Sequence, residues 1–275
     1  MYDAELINLD DYILSGEGTN GQSLDNKADN NLMVKLYNAS MNPELIKEEV
    51  DIARKVFDAG IPSPEPGALV TDGHGRLGIR FRRLVGKVSY ARAIGNDPSA
   101  VQAYAEKFAK LCRQLHSTEV SRDDFPDVKE QYIRMLDSNA WFTESEKEIV
   151  EEVILGTPDT DTAIHGDLSF GNVVEVGQTP YFIDLGEFAV GNPLFDLGML
   201  SIVCLYNDEA FTREAFHMDN ATAKKFWEAF VPVYFEGRYS PAEAEDIVRP
   251  YAAVKLLLIE RNCGCRMDRF HNLIH

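Results

Sequence analysis

Cysteine is scarce: the four present (Cys112, Cys204, Cys263 and Cys265) are too few and too scattered for a disulfide framework. Long apolar runs are missing too. Stretches such as Val254 to Ile259, interrupted by Lys255, fall far short of the roughly 20 residues that a membrane span requires. The chain opens Met1-Tyr2-Asp3-Ala4-Glu5, acidic where a secretory leader is basic and then apolar. Positive charge is in short supply, with 27 Lys and Arg against 45 Asp and Glu and a net charge of −18. A field of that sign repels nucleic acid and anionic lipid and attracts cations. These absences point to the cytoplasm and away from nucleic-acid and membrane partners; the negative charge reads as a solubility device or as a cleft shaped for an amine-bearing substrate. There is also no Gly-Lys-Ser/Thr of a Walker loop, no internal repeat and no Pro/Ser-rich linker.

What is present changes character near Gly86. A strand is expected over Leu6 to Leu14 and another over Asn31 to Tyr37, flanking a polar stretch with Gly16, Gly18 and Gly21. Asn42-Pro43 opens a helix as cap and first-turn proline, Ile46, Val50, Ala53 and Phe57 form its inward stripe, and Gly60 closes it. A hairpin follows, from Ala68 to Thr71, around Asp72 to Gly75, and back from Leu77 to Leu84. Beyond Gly86 helices dominate. Val101 to Leu115 carries an apolar stripe, and Thr143-x-x-Glu146 and Ser240-x-x-Glu243 are capping boxes. Ala163 to Glu187 interrupts them with a short strand, a polar loop and a hairpin around Gly177-Gln178. The expected fold class is α+β and two-lobed, with a small β-rich lobe over residues 1–86 and a larger, mainly helical lobe over residues 87–275.

The most specific stretch is His165-Gly166-Asp167-Leu168-Ser169-Phe170-Gly171-Asn172, followed by Phe182-Ile183-Asp184-Leu185-Gly186. Phosphoryl transfer needs a carboxylate to align the acceptor hydroxyl and oxygen ligands to fix a metal on the phosphates. An Asp and an Asn five apart, then an Asp after the next hairpin strand, suit those tasks. The order matches the H-x-D-x-x-x-x-N and x-D-x-G pattern of kinase-like enzymes. On these residues the chain resembles the aminoglycoside phosphotransferase and choline kinase superfamily, whose loop reads His-Gly-Asp where protein kinases have His-Arg-Asp. The resemblance implies a protein-kinase-like fold and a small-molecule kinase with a hydroxyl acceptor, Asp167 as catalytic base, and Asn172 and Asp184 as Mg2+ ligands. It also implies that His165 braces the loop, and that Asp196 of Pro193-x-x-Asp196 does the same.

The N-terminal region then holds the nucleoside triphosphate, ATP or GTP. Gly16-Glu17-Gly18-Thr19-Asn20-Gly21 fits G-x-G-x-x-G, and a strand rather than a helix follows it, which disfavours a dinucleotide fold. Ser23 stands where kinase loops carry Val. Lys35, inside Leu32-Met33-Val34-Lys35-Leu36, sits where a kinase grips the α- and β-phosphates. Its partner is Glu48 or Glu49. With Ile46 at zero, Glu49 falls at about 300°, beside the inward stripe, and Glu48 at about 200°, facing water, so Glu49 is selected. Leu77 to Gly86 resembles the strand leading into a kinase hinge, where backbone near Arg82 to Leu84 reads the base. Glu187 is a candidate for facing the acceptor.

Only about a dozen residues separate Asp184 from Asp196, too few for the activation segment of a protein kinase. The competing expectation is a nucleotide-binding pseudokinase without turnover, suggested by the imperfect glycine loop. Cys263-Gly264-Cys265 with His271 and His275 lacks zinc spacing and is set aside. His116 reads as a favourable cation at a helix C-terminus.

Overall fold

The computed structural model describes residues 4–18 and 20–275; Thr19 of the glycine stretch and the first three residues of the acidic start lie outside them. The chain divides into two compact units, one running to Val88 with Val174–Gly186 added, the other made of Ser89–Val173 and Glu187–His275.

The first unit is built on six strands: β1 (Glu5–Leu6), β2 (Tyr12–Gly18), β3 (Gly21–Asn26), β4 (Leu32–Tyr37), β5 (Pro66–Thr71) and β6 (Leu77–Arg82). Their order in the sheet is β1-β5-β6-β4-β3-β2. β1 lies parallel to β5, and the other neighbours are antiparallel. The single strand expected over Leu6 to Leu14 is thus two pieces serving opposite edges of the sheet. Asn8 accepts from the Asp10 amide and caps one 3-10 turn, Leu9–Asp11, which redirects the chain between them. Of the glycine stretch, Gly16 and Gly18 lie in β2 and Gly21 lies in β3.

Helix α1 (Pro43–Asp58) starts at the expected cap, where the Asn42 side chain accepts from the Glu44 amide. Its buried residues are Ile46, Val50, Ile52, Ala53 and Val56, whereas Phe57 is exposed. The buried arc is therefore rotated from the expected stripe, and Glu49 lies within it instead of at its edge. The hairpin of β7 (Val173–Val176) and β8 (Thr179–Phe182) turns at Gly177 in left-handed conformation (φ 63°), and the Phe182 amide donates to Pro62 O at 2.8 Å.

The second unit is helical. A short helix α2 (Tyr90–Asn96), capped by Ser89, precedes α3 (Val101–Leu115) and was not legible in its seven residues. Then come α4 (Val128–Ser138), α5 (Glu144–Gly156), α6 (Leu194–Ser201), α7 (Glu209–Phe216), α8 (Asn220–Tyr234), α9 (Pro241–Cys263) and α10 (Asp268–His271). Both capping boxes form, at Thr143 and at Ser240. Helix α9 is buried almost all round from Ala252 to Leu258, the mark of a central helix. α6 packs so closely on it that a Cβ at Gly198 would stand 2.6 Å from the Tyr251 carbonyl carbon. No helix among the described residues is long and apolar enough to cross a membrane.

His271 is buried, its Nδ1 on Glu146 and its Nε2 on Glu260, both at 2.7 Å, while Cys263 and Cys265 are exposed and free. The expected edge strands and glycines supply a first test. A Cβ on Gly21 would stand 2.3 Å from Leu36 O, whereas one on Gly18 would meet nothing closer than Gly21 O at 3.9 Å. Gly21→Ala is therefore expected to lose about 1–3 kcal/mol by overpacking, and Gly18→Ala to lose under about 1 kcal/mol. Urea midpoints of the two variants check this, and equal losses would contradict it.

Candidate active site

In the first unit three of the sequence-selected residues meet. Lys35 Nζ lies 2.8 Å from Glu49 Oε1 and 2.7 Å from Asp184 Oδ1. Burial disfavours the ammonium, but the Asp184 and Glu49 carboxylates outweigh it and hold the Lys35 pKa well above its ordinary value. β4 places Lys35, α1 turns Glu49 inward, and Asp184 follows β8. Asp184 is in left-handed backbone (φ 62°), a conformation that Asp tolerates better than most residues yet still strained. Gly186 makes room for the pair, since a Cβ there would come within 3.1 Å of Glu49 Oε2.

These groups line a cavity of about 160 Å³ whose other walls include Met33, Ala53, Phe81, Leu84 and Leu185. A largely apolar slot with charges at one side suits a flat heterocycle carrying phosphates. Of the two hinge residues, Leu84 lines the cavity. Arg82 does not: its guanidinium reaches Glu65, and its amide donates to Glu65 O at 2.8 Å. Ser23, standing in place of Val, lines the cavity too. Neither Gly16 nor Gly18 is demanded by packing, because a Cβ at either would make ordinary contacts or none. Glycine at such positions leaves backbone open to close approach by a ligand.

In the second unit the loop from His165 to Asn172 alternates anchors and displayed groups. Leu168 and Phe170 are fully buried, with the Phe170 ring against Phe216 and Phe226 at 4.8 and 5.0 Å, while Asp167 and Asn172 are half-buried. Asn172 Nδ2 donates to Asp167 O at 2.9 Å and to Asp167 Oδ2 at 3.0 Å. The Asp167 amide points to His165 Nδ1 at 3.3 Å. Gly166 has φ 82°, and a Cβ on it would collide with Glu187 O at 1.8 Å, so no residue but glycine fits before Asp167.

Asp196, at the third position of α6, underlies this loop. Its carboxylate accepts the His165 amide at 2.7 Å on Oδ2 and the Gly166 amide at 2.8 Å on Oδ1. His116 Nε2 stands 3.1 Å from Oδ2, and its Nδ1 is 2.8 Å from the Tyr234 hydroxyl. His116 is thus a buried link in the brace, with its helix-end position incidental to that role. Burial pushes the Asp196 carboxyl up, but the His116 hydrogen bond and charge, with Lys255 and His165, bring it below its ordinary value.

Two cations here escaped sequence reading. Lys255 is completely buried; its Nζ donates to Gly166 O and stands 5.1 Å from the centre of the Tyr132 ring. The only sequence signal was a lone lysine in an apolar helix run, which demands a buried partner. Arg261 pairs with Glu187. Burial raises the Glu187 pKa in spite of Arg261 and Lys255, with Asp167 adding to the rise. The charges around Asp167 are therefore mixed, and the chain's overall negative charge is not concentrated there.

The chemistry of the available donor atoms suits a hard cation. Asp184 offers carboxylate oxygens, and Asn172, its nitrogen occupied by Asp167, offers its amide oxygen. No cluster of three or more His, Cys, Asp or Glu among the described residues holds a metal unaided. A magnesium ion fits that economy, since it is bound by one or two protein groups plus phosphates and water.

Asp196 yields a pH test. A carboxyl held below its unfolded value of about 3.9 contributes stability that is present above that pH and lost as pH falls through the folded value. Asp196→Asn should cost about 1.5–3 kcal/mol or more at neutral pH, and the gap to wild type should narrow on acidification below about pH 4. Urea denaturation of both proteins at several pH values checks it; a gap that widens in acid would refute the assignment.

The model of the phosphotransferase enzyme family matches residues 15–230. Among solved structures, a choline/ethanolamine kinase family protein from Mesorhizobium loti superposes with TM-score 0.55 and 20% identity over 96% of this chain and 84% of its own. A thermostable mutant of aminoglycoside phosphotransferase APH(4)-Ia, in ternary complex with ADP and hygromycin B, gives TM-score 0.64 and 12% identity over 96% of this chain and 93% of its own. Amicoumacin kinase, in complex with AMP-PNP, Ca2+ and Ami, gives 0.59 and 14% over 98% and 90%. No curated protein matches. At these identities the solved structures share the kinase-like α+β fold, and the family match over most of the 275 residues decides the rest: the chain belongs to the phosphotransferase enzyme family.

Proposed function

We propose that the protein transfers the γ-phosphoryl group of ATP or GTP to a hydroxyl of a small molecule, with Asp167 as the catalytic carboxylate. The observation that carries this is the loop itself. Asp167 is half-buried on a turn fixed from below by Asp196, and its Oδ2 is held by Asn172. A general base of this kind aligns the acceptor hydroxyl and accepts its proton. The region to residue 86 is the nucleotide-binding lobe in this reading, and residues 87–275 form the catalytic and substrate-binding lobe.

Lys35, oriented by Glu49, neutralises phosphate charge. Gly16, Gly18 and Gly21 form the hairpin over the phosphates, and backbone at Leu84 reads the base, with Arg82 holding the strand that leads there. Asn172 and Asp184 would hold Mg2+, which when bound neutralises charge on the phosphates. That the amicoumacin kinase and the aminoglycoside enzyme were each captured with a nucleotide and a small molecule supports a two-substrate reaction here. The acceptor class is a hydroxyl-bearing small molecule, aminoglycosides and amino alcohols included. A turnover-free pseudokinase has less support, because none of Lys35, Glu49, Asp167, Asn172 and Asp184 is replaced.

Two outcomes are expected. Magnesium and nucleotide at about 100 times Kd should stabilise the protein by roughly 2.7 kcal/mol, raising Tm by roughly 5–10 °C. Asp167→Asn should keep that shift while lowering kcat by about 10²- to 10⁴-fold. Full turnover by the variant would overturn the role of Asp167, and no thermal shift would overturn the nucleotide site.

A further inference from the structure

We propose that Lys255 is a positioning residue, locking the Gly166–Asp167 peptide so that the catalytic carboxylate has one orientation. This rests on the assignment of Asp167 made above.

The peptide group between Gly166 and Asp167 is planar, so holding both its ends fixes the plane. Its carbonyl oxygen accepts from Lys255 Nζ, and its amide, on Asp167, points to His165 Nδ1 at 3.3 Å. The preceding peptide is held separately, by the Gly166 amide on Asp196 Oδ1 at 2.8 Å. The lock is needed because residue 166 is glycine. Without a Cβ, glycine restricts ψ as little as φ, so the plane of the peptide that follows it is held only by the contacts made to it. Only glycine fits there, since a Cβ would overlap Glu187 O. The rigidity that a side chain would have supplied must therefore come from outside the loop.

Its source is α9, beyond the residues 15–230 that match the family model. Gly198 lets α6 seat against α9 at Tyr251, and Lys255 lies one helical turn further on. The amine is wholly buried, and a buried ammonium is tolerated only when compensated. Asp196, Asp167 and Glu187 act on it as counter-charges, and the face of Tyr132 lies 5.1 Å away. Apolar neighbours on every side of Lys255 along α9 show that the helix needs no lysine there for its own sake.

The test compares Lys255→Met, which keeps the volume and removes the donor, with Lys255→Gln, which keeps a neutral N–H donor. Hydrogen exchange of the amides from residue 165 to 172 is measured on the nucleotide-free proteins, together with kcat and KM. Lys255→Met is expected to speed loop exchange at least tenfold, leave β4 and α1 amides unchanged, and lower kcat ten- to a hundredfold with nucleotide KM within about threefold. Lys255→Gln is expected to recover most of both. Unchanged loop exchange in Lys255→Met would overturn the proposal, as would equal defects in the two variants. A parallel fall in kcat and nucleotide affinity, or failure of both variants to fold, would overturn it by making the lysine merely structural. The exchange arm needs no turnover, so a wild-type protein that phosphorylates no acceptor would count against the function while the amides still report on Lys255.

Discussion

A single buried carboxylate organises the second unit. Asp196 has no exposed surface, and leaving such a charge unpaired costs about 3–5 kcal/mol. It is satisfied by two consecutive backbone amides of the His165–Asn172 loop and by the ring of His116. Four separate segments must therefore converge: α6, which carries it, the loop, the end of α3, and through the Tyr234 hydroxyl the end of α8. The position of Asp167 follows from this satisfaction of charge, with Leu168 and Phe170 as apolar anchors on its far side.

The first unit follows a parallel logic. Lys35 between Glu49 and Asp184 is a triad whose one cation faces two carboxylates. Its two carboxylates outnumber the one cation, and Asp184 holds its place in left-handed backbone. Glycines there divide by cause. Gly21 is required by the protein's own packing, Gly186 leaves room for the Glu49 carboxylate, and Gly16 and Gly18 are not demanded by packing.

Much of this was legible because it is local. Helical geometry alone separated Glu49 from Glu48, caps at Asn42, Thr143 and Ser240 lie within three residues of what they cap, and the loop motif is contiguous. What failed depends on partners distant in sequence. His116 looked like a helix-end cation because nothing nearby announces Asp196, 80 residues on. Lys255 looked like an interruption in an apolar run because its acceptor lies 89 residues before it. Leu6 to Leu14 is apolar enough at both ends to read as one strand, and the turn over Leu9–Asp11, capped by Asn8, divides it. Phe57 satisfied the helical period but sits at the end of α1, where the buried arc has turned toward Val56.

Phosphorus NMR of the protein with ATP, Mg2+ and a panel of hydroxyl-bearing amines and sugars tests the central claim most directly. A new phosphate monoester resonance growing in step with ADP, for at least one acceptor, is the predicted result. ADP accompanied only by inorganic phosphate, or nucleotide bound but unconsumed across the panel, would contradict it.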